Sequence, residues 1–206
     1  MKKRLLVRKS EIRRENKNIY IFSEGTKTES IYFKAKKEEI NDKLRRSGVI
    51  IKGTGYNTLS LVNLVLEKKI DTTLDEYWVV FDKDDYERKF DDAIIKAQAR
   101  GLKVAYSNEC FEVWFLMHFI PLDSAILRKD YNNKITQNLK KITGDKKIKY
   151  VKKLNIYPYI KEKEVDAIRN AVRLLEGYDK GDSFAKQNPS TTVHLLVESL
   201  NNLKNE

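Results

Sequence analysis

Two rhythms of apolar residues alternate along the first half of this chain. Residues 18–23, Val49-Ile50-Ile51, Tyr77-Trp78-Val79-Val80-Phe81 and Val104-Ala105-Tyr106 are short, nearly continuous apolar runs rich in β-branched and aromatic side chains. Such runs predict strands covered on both faces, as in a parallel sheet. Between them lie segments with helical spacing. One runs through Tyr32, Phe33 and Lys36 towards residue 46. A second carries Leu59, Leu61, Val62, Leu64, Val65 and Leu66, with Asn57 or Thr58 as its cap. A third carries Phe90, Ala93, Ile94 and Ala97 and is closed by Gly101. Thr26-Lys27-Thr28-Glu29 has the form of a capping box, with Thr26 as N-cap and Glu29 at N3. Residues 111–119 are apolar nearly all round and predict a buried helix, with Asn108 as a plausible cap.

After Pro121 the strand pattern stops. Residues 122–163 are polar and lysine-rich, and predict a helical or flexible insert. Residues 164–176 predict an amphipathic helix with Val165, Ile168, Val172 and Leu175 inward. A last helix, exposed-looking in pattern, is expected to open with Pro189 and run through Val193, Leu196, Leu200 and Leu203, with His194 in a structural role. The expected organisation is a basic arm (1–17), an α/β core (18–121), the lysine-rich insert (122–163) and C-terminal helices packed on the core (164–206). The fold class is α/β: a parallel sheet of about four strands flanked by helices, with a helical lysine-rich C-terminal subregion.

Charge sharpens this picture. The 206 residues hold 41 Lys and Arg against 30 Asp and Glu, for a net charge of +11. Residues 1–17 carry +6 and residues 134–163 carry +8, so the rest of the chain is net −3. An anionic partner is expected, nucleic acid before membrane. The single cysteine, Cys110, excludes an internal disulfide framework and a cysteine-rich zinc site. With no secretory signal pattern and no apolar run of spanning length, a cytoplasmic protein is expected.

Chemistry concentrates where predicted strands end. The first runs into Glu24-Gly25, and the third into Asp82-Lys83-Asp84-Asp85. In an open α/β sheet, ligands bind outside the carboxyl ends of the strands. Asp82 and Asp84, two apart, point the same way. With Glu24 they make an oxygen-rich set suited to Mg²⁺ or Mn²⁺. Glu112 opens a segment that should be buried, so it needs a partner: a metal ion, an arginine or a lysine. It joins Glu24, Asp82 and Asp84 as a candidate catalytic residue. Lys27 at a helix start, Lys83, and Lys146, Lys147, Lys149, Lys152 and Lys153 are candidate phosphate contacts. Glu29, Asn108 and His118 are candidates for supporting positions, although Glu29 already has a capping role and a lone histidine on an apolar helix is more often a core residue.

The ordered set of motifs resembles a known family. Glu24-Gly25-x-x-Thr28-Glu29 with Tyr32-Phe33, then Asp82-x-Asp84, then Ser107-Asn108-x-x-Phe111-Glu112-x-Trp114 with His118, and finally Asn188-Pro189-Ser190-Thr191-Thr192-Val193 are similar to the RloB-like family and the related AbiLii abortive-infection proteins. The resemblance spans roughly residues 18–203. Glu109 departs from the proline common at its position. The resemblance implies a Toprim-like metal-binding domain with Glu24, Asp82 and Asp84 as ligands. It also implies a Mg²⁺-dependent nuclease acting on RNA, tRNA included, or DNA in phage defence, beside an AAA/ABC-type ATPase partner. A homo-oligomer is left open. The alternative is a non-catalytic subunit that binds nucleic acid or the ATPase and holds a structural ion.

Overall fold

The computed structural model describes residues 17–41, 48–68, 70–83, 87–179 and 181–203. Asp84 and nearly all of the basic arm lie outside the described residues. The element order is β1 (Ile19–Ser23), α1 (Thr28–Asn41), β2 (Val49–Gly53), α2 (Thr58–Leu66), β3 (Glu76–Asp82), α3 (Glu87–Ala99), β4 (Lys103–Asn108), α4 (Glu112–Met117), α5 (Tyr131–Thr143), α6 (Tyr157–Ile160), α7 (Glu164–Glu176), β5 (Ser190–Thr191) and α8 (Val193–Asn202). The sheet order is β2-β1-β3-β4-β5, parallel except for β5. The expected α/β class and parallel sheet are both present.

The strands carry apolar side chains on both faces because both faces are covered. Ile19, Ile21, Trp78, Val80 and Ala105 face a core shared with α1 and α4–α8. Phe22, Tyr77, Val79, Phe81, Val104 and Tyr106 face a second core with α2 and α3. Alternation along β3 places Asp82 on the face of Trp78 and Val80, towards α1 and α4. That parity decides which helices can bring further groups to it.

The 122–163 segment belongs to the main core. Tyr131, Ile135, Leu139, Tyr150, Ile156, Tyr157 and Ile160 are buried in the cluster that contains β1. These apolar residues are spaced among the lysines so that the charges point outward. Tyr32 binds this layer to the sheet helices, with ring contacts to Phe33 (5.1 Å), Phe115 (5.5 Å), Tyr157 (5.5 Å) and Phe111 (5.8 Å). Buried Lys36 pairs with Glu164 at 2.6 Å and donates to Asn201 at 2.9 Å, tying α1 to α7 and α8.

Several elements differ from expectation. The last helix starts at Val193. Residues 190–191 instead form β5, held on β4 by Ser107 and Thr191 hydroxyls 3.0 Å apart and by the Tyr106 N–H donating to Thr192 Oγ1 at 2.9 Å. That helix is less exposed than its pattern suggests, and His194 on it is buried, as a structural residue would be. On α7 the buried residues are Ala167, Ala171 and Leu174, while Val165 is 75% exposed. Small alanines let α7 approach α4 closely, and this outweighs the larger apolar stripe. Helix α1 begins at Thr28, two residues after the proposed Thr26 cap, which puts Glu29 in its first turn. Asn108 does not cap α4, whose N-cap residue is Phe111 with no side-chain bond.

Candidate functional site

A cavity of about 310 Å³ opens at the carboxyl ends of β1 and β3. Its lining includes Glu24, Gly25, Lys27, Glu29, Asp82, Phe111, Glu112, Arg128 and Lys152. Four carboxylates thus converge from four places: the end of β1, the first turn of α1, the end of β3 and the first turn of α4.

Glu24 is placed by backbone bonds on either side. Its N–H donates to Val80 O, and its carbonyl accepts from Gly55 N–H, both at 2.9 Å. Gly55 sits at φ +73°, which favours glycine, so the turn after β2 can come back against β1. Asn57 caps α2, and this leaves the Thr58 hydroxyl to donate to Glu24 Oε2 at 3.3 Å.

Glu29 is buried against Gly25. A Cβ at residue 25 would lie 2.0 Å from Glu29 Oε2, so only glycine leaves room for this carboxylate. Gly25 has no positive φ, so glycine is needed there for close approach and not for a left-handed backbone. Burial raises the Glu29 pKa, and the charge of Glu112 adds to this. Its own N–H, Lys152 and the Gly25 N–H counter only part of the effect.

Asp82 is the focus of the site. Burial, followed by the charges of Glu29 and Glu112, holds its carboxyl well above the usual range. Arg128 and the Phe111 N–H pull it down incompletely. Among the described residues its buried Oδ1 has no hydrogen-bond partner, while Oδ2 lies 3.9 Å from Arg128 Nη2. Glu112 is buried and its Oε1 accepts from the Tyr150 hydroxyl at 2.9 Å. Beside the metal, arginine or lysine expected for it, Glu112 has a tyrosine partner from the lysine-rich segment. Burial and Glu112 together push the Cys110 thiol far up, so it stays protonated and unreactive.

The other predicted residues separate into two groups. Lys27 and Lys152 are exposed and line the cavity. Lys146, Lys147, Lys149 and Lys153 are exposed on the turns around it in sequence but do not line it, and Lys83 follows β3 with its N–H bonded to Ser107 O. Asn108 and His118 are elsewhere. The Asn108 side-chain amide donates to the carbonyls of Phe184 (3.2 Å), Ala185 (2.9 Å) and Gln187 (3.0 Å), clamping the loop before β5. His118 is buried with Nδ1 2.9 Å from Trp114 O, and burial lowers its pKa to about 4. It is a core residue.

Sequence reasoning missed Arg128 and Tyr150. Arg128 is the lone arginine of the 122–163 segment, and that singularity was its signal. Tyr150 gave none, because its contact spans 38 residues of chain.

Among the described residues, no three His, Cys, Asp or Glu side chains stand close enough together to hold a metal ion. The donor set is nonetheless all oxygen. The buried, unpartnered Asp82 Oδ1 beside other carboxylates is the arrangement a hard divalent cation would relieve. No helix among the described residues is long and apolar enough to cross a membrane. The family model described as RloB-like protein matches residues 19–200. Neither a curated protein nor a solved structure matches the chain.

Proposed function

The chain belongs to the RloB-like family, and from that premise we propose that it is a divalent-metal-dependent, Toprim-like nuclease. It would cleave phosphodiester bonds in RNA, tRNA included, or in DNA. Its setting would be cytoplasmic phage defence by abortive infection, beside an AAA/ABC-type ATPase partner.

The observation that carries the reading is Asp82. A largely buried carboxylate whose inner oxygen has no partner among the described residues, crowded by Glu29 and Glu112, is costly unless a cation compensates it. Glu24 and Asp82 would hold the ion, together with Asp84. Bound Mg²⁺ or Mn²⁺ would supply a Lewis acid and an activated water for attack on phosphorus. The chain's own groups do the rest. Thr58 and the backbone bonds of residues 24 and 55 orient Glu24. Tyr150 fixes Glu112. Phe111, packed against the Tyr32 ring at 5.8 Å, gives the cavity an apolar wall beside the carboxylates. Lys152 at the rim connects the cavity to the exposed lysines at 146, 147, 149 and 153, a path for a polyanionic backbone.

The test is cleavage of labelled RNA, tRNA and DNA in Mg²⁺, Mn²⁺ or EDTA, by wild type and Asp82→Ala, with and without the ATPase. Metal-dependent cutting that the substitution abolishes is expected. Thermal stabilisation by metal without any cutting, even with the ATPase present, would replace this reading with a non-catalytic subunit holding a structural ion.

A further inference from the structure

The cavity is built of two halves that come from different parts of the chain. Its acids, Glu24, Glu29, Asp82 and Glu112, all come from the strand ends and first helical turns of the α/β core. Among the described residues, two of its three cations, Arg128 and Lys152, come from the lysine-rich segment. Arg128 sits on the short 3₁₀ turn 128–130 that leads into α5, and Tyr131, directly after that turn, is fully buried. Its backbone is therefore anchored while its side chain remains 47% exposed at the cavity.

The guanidinium is not committed to Asp82. At 3.9 Å the pair is beyond hydrogen-bond reach, and among the described residues Arg128 makes no other ion pair and no side-chain hydrogen bond. Among the described residues its fork of donors makes no hydrogen bond. A planar fork matches two oxygens of one anion, which a lysine ammonium cannot do. A phosphodiester offers two non-bridging oxygens and a single negative charge. With a divalent ion on the carboxylates, the attraction of Arg128 to Asp82 would fall, leaving the fork available to a phosphodiester in the cavity.

We propose that Arg128 is the phosphate-gripping residue of this site: it binds the non-bridging oxygens of the scissile phosphodiester and offsets the charge that grows there during attack. The proposal rests on the nuclease reading and names the group that recognises its substrate. The competing role is purely local, with Arg128 only balancing the charge of Asp82.

The two roles separate in a binding measurement that needs no turnover. The full chain is titrated with a labelled tetranucleotide, short enough to report the cavity rather than the lysine surface, with Ca²⁺ in place of Mg²⁺. Mn²⁺ affinity is measured in parallel by electron paramagnetic resonance. Arg128→Ala should weaken the tetranucleotide roughly tenfold or more, the scale of losing charged hydrogen bonds. Arg128→Lys should recover only part of that, because it restores charge without the fork. Mn²⁺ should bind Arg128→Ala at least as tightly as wild type, since a competing cation is gone. Tetranucleotide binding by Arg128→Ala within twofold of wild type overturns the proposal, as does full recovery by lysine or a parallel loss of Mn²⁺ affinity. If wild type cuts nucleic acid while Arg128→Ala binds normally, only this assignment falls. If wild type binds no tetranucleotide and cuts nothing even with the ATPase present, the nuclease reading falls with it.

Discussion

Glu29 occupies the space that a side chain on Gly25 would need. The carboxylate oxygen lies 2.0 Å from where the Cβ would be. Gly25→Ala should therefore fold, because the backbone there is ordinary and what must yield is the end of a flexible side chain. The carboxylate must nonetheless leave its place beside the cavity. A cost of roughly 1–2 kcal/mol is expected from displaced packing and from breaking the Gly25 N–H interaction. In a Glu29→Ala background the same change should cost little. Urea denaturation of the four proteins gives the coupling. Equal costs in both backgrounds would mean that Gly25 is needed for some other reason.

Asp82 makes a pH prediction whose sign is definite. Its folded pKa is raised from the ordinary 3.8, so the folded chain holds this proton to higher pH than the unfolded chain does. Stability from this group is fully present below 3.8 and is lost as pH rises through the raised folded value. The raised pKa of Glu29 acts in the same direction. In EDTA, the melting temperature of Asp82→Asn should gain on wild type as pH rises above the ordinary 3.8. Adding Mn²⁺ at the upper pH should raise the wild type and leave the variant unmoved. Parallel pH profiles for the two proteins would show that Asp82 is not the strained group.

Much of this arrangement was legible in the chain, and the reason is local. The apolar runs ending at Ser23 and Phe81 announce two buried parallel strands, and residues just past such strands must gather at one edge of the sheet. Glu24 and Asp82 were therefore readable from two short stretches. Where the outcome depended on distant contacts, reading by pattern failed. Strand β5 has only two residues, too few for any periodicity, and side-chain hydroxyls hold it in place. On α7 the larger apolar residues mark the wrong face, because the alanines face inward to allow close packing. Glu29 fitted a capping pattern whose helix starts two residues later.

Asn108 supports a loop rather than the cavity, and substitution can show this. One side-chain amide serves the carbonyls of residues 184, 185 and 187. Asn108→Ala strips all three of a donor, at a cost of roughly 1–3 kcal/mol. Asn108→Asp should cost more, since a carboxylate would then face three carbonyl oxygens in a buried place. Both variants should keep the wild-type shift in melting temperature on adding Mn²⁺. Loss of that shift in a folded Asn108→Ala protein would move the residue into the site.

The lysines beyond the cavity should act collectively and differently from Lys152. Lys146, Lys147, Lys149 and Lys153 are exposed and outside the lining, so each offers a point charge to the nucleic-acid backbone and none touches the inner carboxylates. Replacing all four with glutamine should weaken binding of a long single strand. It should also flatten the slope of log affinity against log salt by up to about 3, at about 0.7 for each phosphate no longer neutralised. Turnover of bound substrate should hardly change. Lys152 lines the cavity and acts electrostatically on Glu29, so Lys152→Gln should alter the salt slope by less than about 1 yet lower the cleavage rate at saturating substrate. The contrast follows from position: charges along the path set how tightly the strand is held, and a charge at the carboxylates sets what happens to the phosphate once it arrives. Measuring the salt slope and the single-turnover rate for both variants decides the matter. A fourfold variant with an unchanged slope would show that the nucleic acid takes another route to the cavity.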